Sequence, residues 1–231
     1  MRWRLLDGVP DEDVRRLLSI ARRRRFKRGE VVFHEMDPAD SLHLVVSGRF
    51  AIQRTTRFGE EALLLVRGPG DAFGELALVS RGQRSATGYA LEPAETMCVL
   101  RREFERLRAA HPAVDRTLVS LLAHELRRMD ELVTEAYYES AEKRVLRRLV
   151  DLVAVYDGRA PQTVIPLTQV QLASLAGASR ATVSAVLSAE QRRGTITLRR
   201  GATIVHDPRA LARRAGLRAT GERASAPDGA E

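Results

Sequence analysis

The first half of the chain is divided into short β-rich segments by closely spaced turn residues, and this feature constrains the fold most. Six segments are separated by Gly, Pro, Asp or Ser: residues 31–34, 42–47, 49–55, 62–66, 87–91 and 96–100. Their spacing leaves no room for the crossover helices of a parallel sheet. The pattern therefore predicts an antiparallel barrel or jelly roll, preceded by a helix over residues 14–25.

Residues 73–87 bring together the groups that a cyclic nucleotide requires. A cyclic phosphate is bound by a guanidinium with hydroxyl or backbone N–H donors, and a ribose hydroxyl by a carboxylate. Arg84 and Ser85 supply the first set, and Glu75 supplies the second. Gly74 lets the backbone approach a ligand closely. A Gly-Glu or Arg-Ser pair alone indicates a surface turn, whereas the joined block predicts a ligand pocket.

A long amphipathic helix is predicted after Pro112. Its apolar residues recur at spacings of three and four: Leu118, Leu122, Leu126, Met129, Val133 and Ala136. This stripe either packs on the barrel or pairs with the same helix of a second chain. The length of the helix and its position between two domains favour the dimer. A further helix is predicted over residues 141–156.

The pattern of a winged helix-turn-helix follows. Thr168 and Gln171 form a capping box before a short helix, and Ser179 caps a second helix that begins at Arg180. Residues 195–198 and 203–205 are predicted to form a hairpin with a basic tip. A purely structural helical hairpin is the alternative, but the basic residues in this region favour DNA binding.

The charge of the chain supports the same division. The formal net charge is +8, yet residues 140–218 contain 14 Lys/Arg against 5 Asp/Glu, and the remainder contains 24 against 25. Such an imbalance is typical of a nucleic-acid-binding module attached to a neutral domain. The basic run 22–25, with Lys27 and Arg28, is interpreted as a solvated face at a helix end rather than a nucleic-acid contact.

Several classes of function are disfavoured. The single cysteine, Cys98, excludes a disulfide framework or a cluster of thiolate ligands within one chain, and its apolar neighbours predict a buried core residue. The five histidines have no metal-ligand spacing, and no catalytic motif is present. With no apolar run of membrane-spanning length and no signal-peptide core, we expect a cytoplasmic protein.

Both motifs resemble those of the cyclic AMP receptor protein/FNR family of bacterial transcription regulators. Residues 73–87 look like the family's phosphate-binding cassette, and residues 178–183 look like the start of its recognition helix. The resemblance implies an α+β chain. It places a jelly-roll, cyclic-nucleotide-binding barrel in residues 1–111, a dimerisation helix in 112–138, a winged helix-turn-helix in 139–215 and a disordered tail in 216–231.

The resemblance also implies site residues. The ligand contacts are Gly74, Glu75, Leu76, Arg84, Ser85, Met129 and Asp130. The DNA contacts are Thr168, Gln169, Ser179, Arg180, Thr182, Ser184, Arg199 and Arg200. Arg180 matches a base-contacting arginine suited to guanine, while the wing arginines are suited to phosphates.

The chain departs from the family pattern in three places. Met129 and Asp130 stand where the cyclic AMP receptor protein holds adenine with two hydroxyl residues, and the cassette turn is one residue shorter. Ala181 and Ala185 replace the glutamate and arginine of well-known members. We therefore expect a different operator preference.

The expected function is a homodimeric, non-enzymatic regulator that binds palindromic double-stranded DNA and contains no metal or cofactor. Its effector is expected to be cyclic AMP or another cyclic nucleotide, and RNA polymerase is a candidate partner. Two alternatives stay open. In the first, the barrel is a dimer scaffold in a regulator that needs no ligand or senses another molecule. In the second, the chain is a cyclic-nucleotide signalling module that acts through protein partners.

Overall fold

The computed structural model describes residues 2–76, 82–156 and 162–217. The strands are β1 (Arg22–Phe26), β2 (Val31–Phe33), β3 (Ser41–Ser47), β4 (Phe50–Thr55), β5 (Glu61–Arg67), β6 (Ala72–Phe73), β7 (Thr87–Ala90), β8 (Ala94–Leu100), β9 (Thr163–Ile165), β10 (Ile196–Arg199) and β11 (Ala202–Val205). The helices are α1 (Asp11–Ile20), α2 (Arg101–Ala110), α3 (Pro112–Tyr138), α4 (Ala141–Val155), α5 (Gln169–Ala176), α6 (Arg180–Arg192) and α7 (Pro208–Arg214).

The first eight strands form two four-stranded antiparallel sheets of a jelly-roll barrel. Their orders are β1-β8-β3-β6 and β2-β7-β4-β5. Phe26, Val45, Phe50 and Phe73 fill the space between them, with their rings in edge and tilted contacts. All six predicted strands are present, and β1 and β6 are additional. The predicted antiparallel barrel is confirmed.

The helix predicted over residues 14–25 is wrong in its second half. Helix α1 ends at Ile20, and Arg22 to Arg25 lie in β1, paired with Cys98 to Glu95 of β8. Backbone hydrogen bonds to β8 therefore outweigh the local helical pattern. The four arginine side chains are exposed, and Arg23 and Arg25 both form salt bridges with Glu95.

The start of the long helix α3 is anchored on the barrel. Val114 and Leu118 are buried in a cluster with Trp3, Leu5 and residues of α1 and α2. The Trp3 Nε1 donates to the backbone oxygen of Val45 over 2.9 Å. The N-terminal segment therefore fastens α3 to the sheet that contains β3.

The C-terminal part forms the predicted winged helix-turn-helix. Helices α5 and α6 cross at 108°, and β10 and β11 form the wing, joined by β9 in a sheet of order β10-β11-β9. Strand β9 and helix α7 were not predicted. Residues 157–161, between α4 and β9, lie outside the described residues. Of the predicted tail 216–231, so do residues 218–231.

The barrel packs directly against the helix-turn-helix. Ala51, Leu63 and Val66 of the barrel share a buried cluster with Leu172 and Ala173 of α5. In addition, the Ser174 hydroxyl accepts from the Leu63 amide (2.7 Å) and donates to the Glu61 carbonyl (2.8 Å). Helix α5 thus supplies two hydrogen bonds to the edge strand β5.

The helices and the acidic, histidine and cysteine residues were compared with what membrane spans and metal sites require. Among the described residues, no single helix has the length and apolar character to cross a membrane, and only α5 and α6 taken together as a bent pair meet those limits. Within the same ranges, no group of three or more His, Cys, Asp and Glu residues has the geometry to hold a metal ion.

Candidate ligand pocket and DNA-binding surface

The backbone of Arg84 is fixed by the turn between β2 and β3. Its amide donates to the Asp37 carbonyl, and its carbonyl accepts from the Met36 amide, each over 2.9 Å. Met36 adopts a left-handed backbone, with φ of 72°. A non-glycine residue in this region is strained, and such strain is concentrated at functional sites.

The Arg84 guanidinium is held inside the barrel. It is 3% exposed, donates to the Gly74 carbonyl (3.1 Å) and the Ser41 hydroxyl (3.0 Å), and lies 4.1 Å over the ring of Phe33. Its nearest carboxylate, on the exposed Asp40, is 3.9 Å away. Among the described residues, the Arg84 Nε has no hydrogen-bond partner. Burial lowers the pKa of this guanidinium, so the site holds a cation with incomplete compensation.

Gly74 is required by the position of Arg84. Its φ is 83°, and a Cβ at this position would lie 2.5 Å from the Arg84 Nη1. Any larger residue would therefore displace the guanidinium. The sequence analysis expected Gly74 to allow close approach of a ligand, and within the chain the close neighbour of Gly74 is the Arg84 guanidinium.

Glu75 faces the long helix. It lines a small cavity with Arg67 of β5 and with Leu121, Leu122 and Glu125 of α3. Burial raises the pKa of the Glu75 carboxyl, and the positive charge of Arg67 acts in the opposite direction. The carboxylate is therefore in a partly desolvated setting, with the positive charges of Arg67 and Arg84 acting on it.

Five of the eight predicted DNA-contacting residues line one groove. Arg180 lines it together with Thr168, Gln169, Arg199 and Arg200, so the start of α6 and the wing tip share a surface. The groove has a volume of about 330 Å³. Three basic side chains around one concave surface can bind phosphate and base edges together.

Caps determine the position of α6. The Ser179 side chain accepts from the Thr182 amide, and the two hydroxyls are 2.9 Å apart. Gly177, with φ of 56°, forms the left-handed turn before it. Ser179 and Thr182 are therefore engaged within the turn, whereas Ser184 is exposed one turn further along.

Sequence families match both parts of the chain. The family described as "Cyclic nucleotide-binding domain" matches residues 23–111, and "Crp-like helix-turn-helix domain" matches residues 143–214. The chain is 35% identical over 206 residues to the cyclic AMP receptor protein of Thermus thermophilus, covering 88% of this chain and 92% of that protein. The chain belongs to the Crp/Fnr family of transcription regulators.

A second relative and two solved structures also match most of the chain. A "CRP-like cAMP-activated global transcriptional regulator" of Mycobacterium tuberculosis is 33% identical over 193 residues, with 82% of this chain and 86% of that protein covered. The structure of the Thermus thermophilus catabolite activator protein superposes with a TM-score of 0.54 at 35% identity, covering 93% of this chain and 100% of that one. FixK2 from Bradyrhizobium japonicum has a TM-score of 0.75 at 21% identity, covering 84% and 96%, and shows the fold alone.

This Crp/Fnr protein is thus a cyclic-nucleotide-binding, DNA-binding regulator and not an enzyme.

Its barrel and DNA-binding domain are in direct contact. The Arg49 guanidinium lies 4.2 Å over the ring of Tyr156, donates to the Val155 carbonyl and pairs with Glu92. With Ser174, these contacts orient the helix-turn-helix relative to the barrel.

The structure brings together only part of the predicted ligand set. Gly74, Glu75 and Arg84 are adjacent, while Leu76 and Ser85 are exposed beside them. Met129 and Asp130 are exposed on α3, one turn beyond Glu125. The α3 residues that face Glu75 within the chain are Leu121, Leu122 and Glu125, which the sequence analysis missed.

The apolar stripe of α3 divides between two surfaces. Leu118 is buried against the protein's own barrel, as described above. Val119, Leu126, Met129 and Val133 are instead exposed, and they follow a seven-residue repeat with alternating spacings of three and four once the half-buried Leu122 is included. This repeat is typical of a coiled-coil seam. Val119, rather than Leu118, is its first member.

Proposed function

We propose that this Crp/Fnr protein is a homodimeric transcription regulator whose DNA affinity is controlled by cyclic AMP bound in the barrel. The single observation that carries the ligand assignment is the buried Arg84 guanidinium, whose Nε has no hydrogen-bond partner among the described residues. It lies beside Gly74 and close to Glu75. The names of the Thermus and Mycobacterium relatives support cyclic AMP as the first candidate.

The two halves of a cyclic nucleotide fit the two charged groups. The cyclic phosphate would accept from the Arg84 guanidinium and the adjacent Ser85 hydroxyl, which compensates the buried charge. A ribose hydroxyl would donate to Glu75. Met129 and Asp130 would close over the base. Because Met129 also belongs to the exposed seam of α3, dimer pairing would place it close to the partner's helix.

The DNA assignment rests on the groove shared by α6 and the wing. Arg180 is the exposed first residue of α6, which suits it to a bidentate contact with guanine in the major groove. Arg199 and Arg200 suit phosphate contacts. In a symmetric dimer, two such grooves would bind half-sites about one helical turn apart.

Calorimetry with cyclic AMP and cyclic GMP tests the ligand. Arg84→Met should weaken binding by about 10- to 100-fold, the effect of losing hydrogen bonds to a charged group. Arg57→Met is the matched control, because Arg57 is an exposed arginine at the β4–β5 turn. Unchanged affinity in Arg84→Met, or no binding by the wild type, would overturn the ligand assignment. The second result would favour a ligand-independent regulator.

Sedimentation tests the dimer. Leu126→Glu places a charge in the centre of the exposed seam and should convert the protein to a monomer. Ile20→Glu is the control, because Ile20 is an exposed apolar residue of α1 away from the seam. A Leu126→Glu protein that sediments as a dimer would refute the seam.

Operator selection followed by salt-titrated binding tests the DNA surface. Arg180→Ala should cost about 1–3 kcal/mol and relax the preference at one base pair. Arg199→Ala should instead weaken binding to all sequences alike and reduce the salt slope by about one. If both variants behave identically, the division between base and phosphate contacts is wrong.

A further inference from the structure

Arg67 connects the barrel to the long helix beside the ligand pocket. It is the last residue of β5, and its Nη2 donates to the Glu125 Oε1 of α3 over 2.7 Å. Both side chains are more than three-quarters buried. A partly buried, charge-assisted hydrogen bond is stronger and more selective in geometry than an exposed ion pair.

Glu75 is the third member of this cluster. Arg67, Glu75 and Glu125 line the same cavity of about 50 Å³, which Leu121 and Leu122 close on the apolar side. The Arg67 guanidinium therefore shares this cavity with two carboxylates from different elements: Glu75 from the pocket and Glu125, its hydrogen-bond partner, from α3. With its five N–H donors in a planar fork, an arginine can serve both.

Arg67 and the two carboxylates act on one another's pKa values. Burial by itself would lower the pKa of Arg67. The negative charges of Glu125 and then Glu75 outweigh this effect of burial, so the pKa of Arg67 is raised. Burial raises the pKa of Glu75, Arg67 lowers it, and Glu125 raises it further. The other charged groups here are Asp71 and Arg4, which line the cavity, Arg84, whose positive charge also lowers the pKa of Glu75, and Arg128, which is 3.8 Å from Glu125. Without Arg67, two desolvated carboxylates would face each other.

We propose that Arg67 is the positioning residue that joins the ribose-binding carboxylate Glu75 to α3 through Glu125, and so transmits ligand occupancy from the barrel to the long helix. This inference rests on the proposed function. A ribose hydroxyl that donates to Glu75 compensates part of the negative charge that this carboxylate presents to Arg67, and the ion pair between Arg67 and Glu125 is then strengthened. The ligand would bind Glu75 and α3 binds Arg67 through Glu125, so the two are coupled because Glu75 and Arg67 share one cavity and act on each other electrostatically.

Hydrogen exchange and calorimetry with cyclic AMP as the probe test the relay. In the wild type, cyclic AMP should slow amide exchange in residues 118–128 of α3. Glu125→Gln should bind cyclic AMP within about threefold of the wild type but lose most of that slowing. Arg67→Gln should lose both the cyclic AMP affinity, by about tenfold or more, and the slowing of amide exchange. Arg67→Lys should restore only part of each. Glu131→Gln, an exposed acid on the same helix, should behave as the wild type.

A second measurement needs no ligand and separates the relay from the proposed function. The Glu75 carboxyl is titrated by carbon NMR in wild type, Arg67→Gln and Glu125→Gln. Its pKa should rise in Arg67→Gln and fall in Glu125→Gln, because a neighbouring cation and a neighbouring anion are removed. Failure of wild type to bind cyclic AMP would overturn the proposed function while this titration still tests the relay. An unchanged Glu75 pKa in Arg67→Gln, or ligand-induced slowing in Glu125→Gln equal to that in Glu131→Gln, would overturn the relay.

Discussion

Replacement of Ser174 by alanine should weaken the contact between the helix-turn-helix and the barrel. The Ser174 hydroxyl makes two hydrogen bonds to the edge strand β5, at 2.7 Å to the Leu63 amide and 2.8 Å to the Glu61 carbonyl. In the docked state, the alanine variant leaves both backbone groups unpaired. In the undocked state, water satisfies them.

The magnitude follows from those two bonds. Each neutral hydrogen bond contributes about 0.5–1.5 kcal/mol net, so Ser174→Ala should shift the docking equilibrium by about 2 kcal/mol, or roughly 30-fold. The apolar contact of Leu63 and Val66 with Ala173 is retained. Docking should therefore be weakened rather than abolished.

Amide hydrogen exchange at Leu63 measures this equilibrium, because undocking exposes the amide to solvent. Exchange should accelerate by roughly 30-fold in Ser174→Ala. Ser174→Thr, which keeps a hydroxyl, should restore most of the protection, and Ser188→Ala, an exposed serine on α6, should have no effect. Exchange within about threefold of the wild type in Ser174→Ala would refute the role assigned to the hydroxyl.

Three further predictions concern stability. Met36→Gly should raise the unfolding free energy by about 0.5–1 kcal/mol in urea titration, because the left-handed backbone strains an L-residue. The Met36 side chain is 61% exposed, so little packing is lost with it. A decrease in the unfolding free energy would contradict this prediction. Arg144→Lys should lower the unfolding free energy by about 1–3 kcal/mol, because a lysine cannot replace the guanidinium that donates to the carbonyls of Glu139, Ala176 and Gly177. An unchanged urea midpoint would contradict a stabilising role for these three hydrogen bonds. Burial lowers the pKa of His43 to about 3 in the folded state, whereas the unfolded chain takes up this proton near pH 6.5. Stability should therefore fall as the pH drops between these values, by up to about 1.4 kcal/mol per pH unit, and His43→Phe should reduce that slope; an equal slope in both proteins would show that His43 is charged when folded.

The local signals of the chain predicted most of the fold. The capping box of Thr168 and Gln171 and the cap at Ser179 placed the starts of α5 and α6 where the structure has them, at Gln169 and Arg180. Such features depend on residues three or four positions apart, so their geometry can be read from the sequence. The arginine run of β1 was misassigned because its partner strand β8 lies about 70 residues away.

The candidate site divides in a similar way. By itself, the sequence determined which chemical groups are available: a glycine, a carboxylate and an arginine in one short block, and a helix start with a basic wing. Only the tertiary structure decided their surroundings. It places Arg84 over the ring of Phe33 without full compensation of its charge, brings Arg67 into one cavity with Glu75 and Glu125, and pairs Ser174 with the edge of β5. Burial and charge proximity depend on contacts between distant segments, whereas caps and turns arise from neighbouring residues.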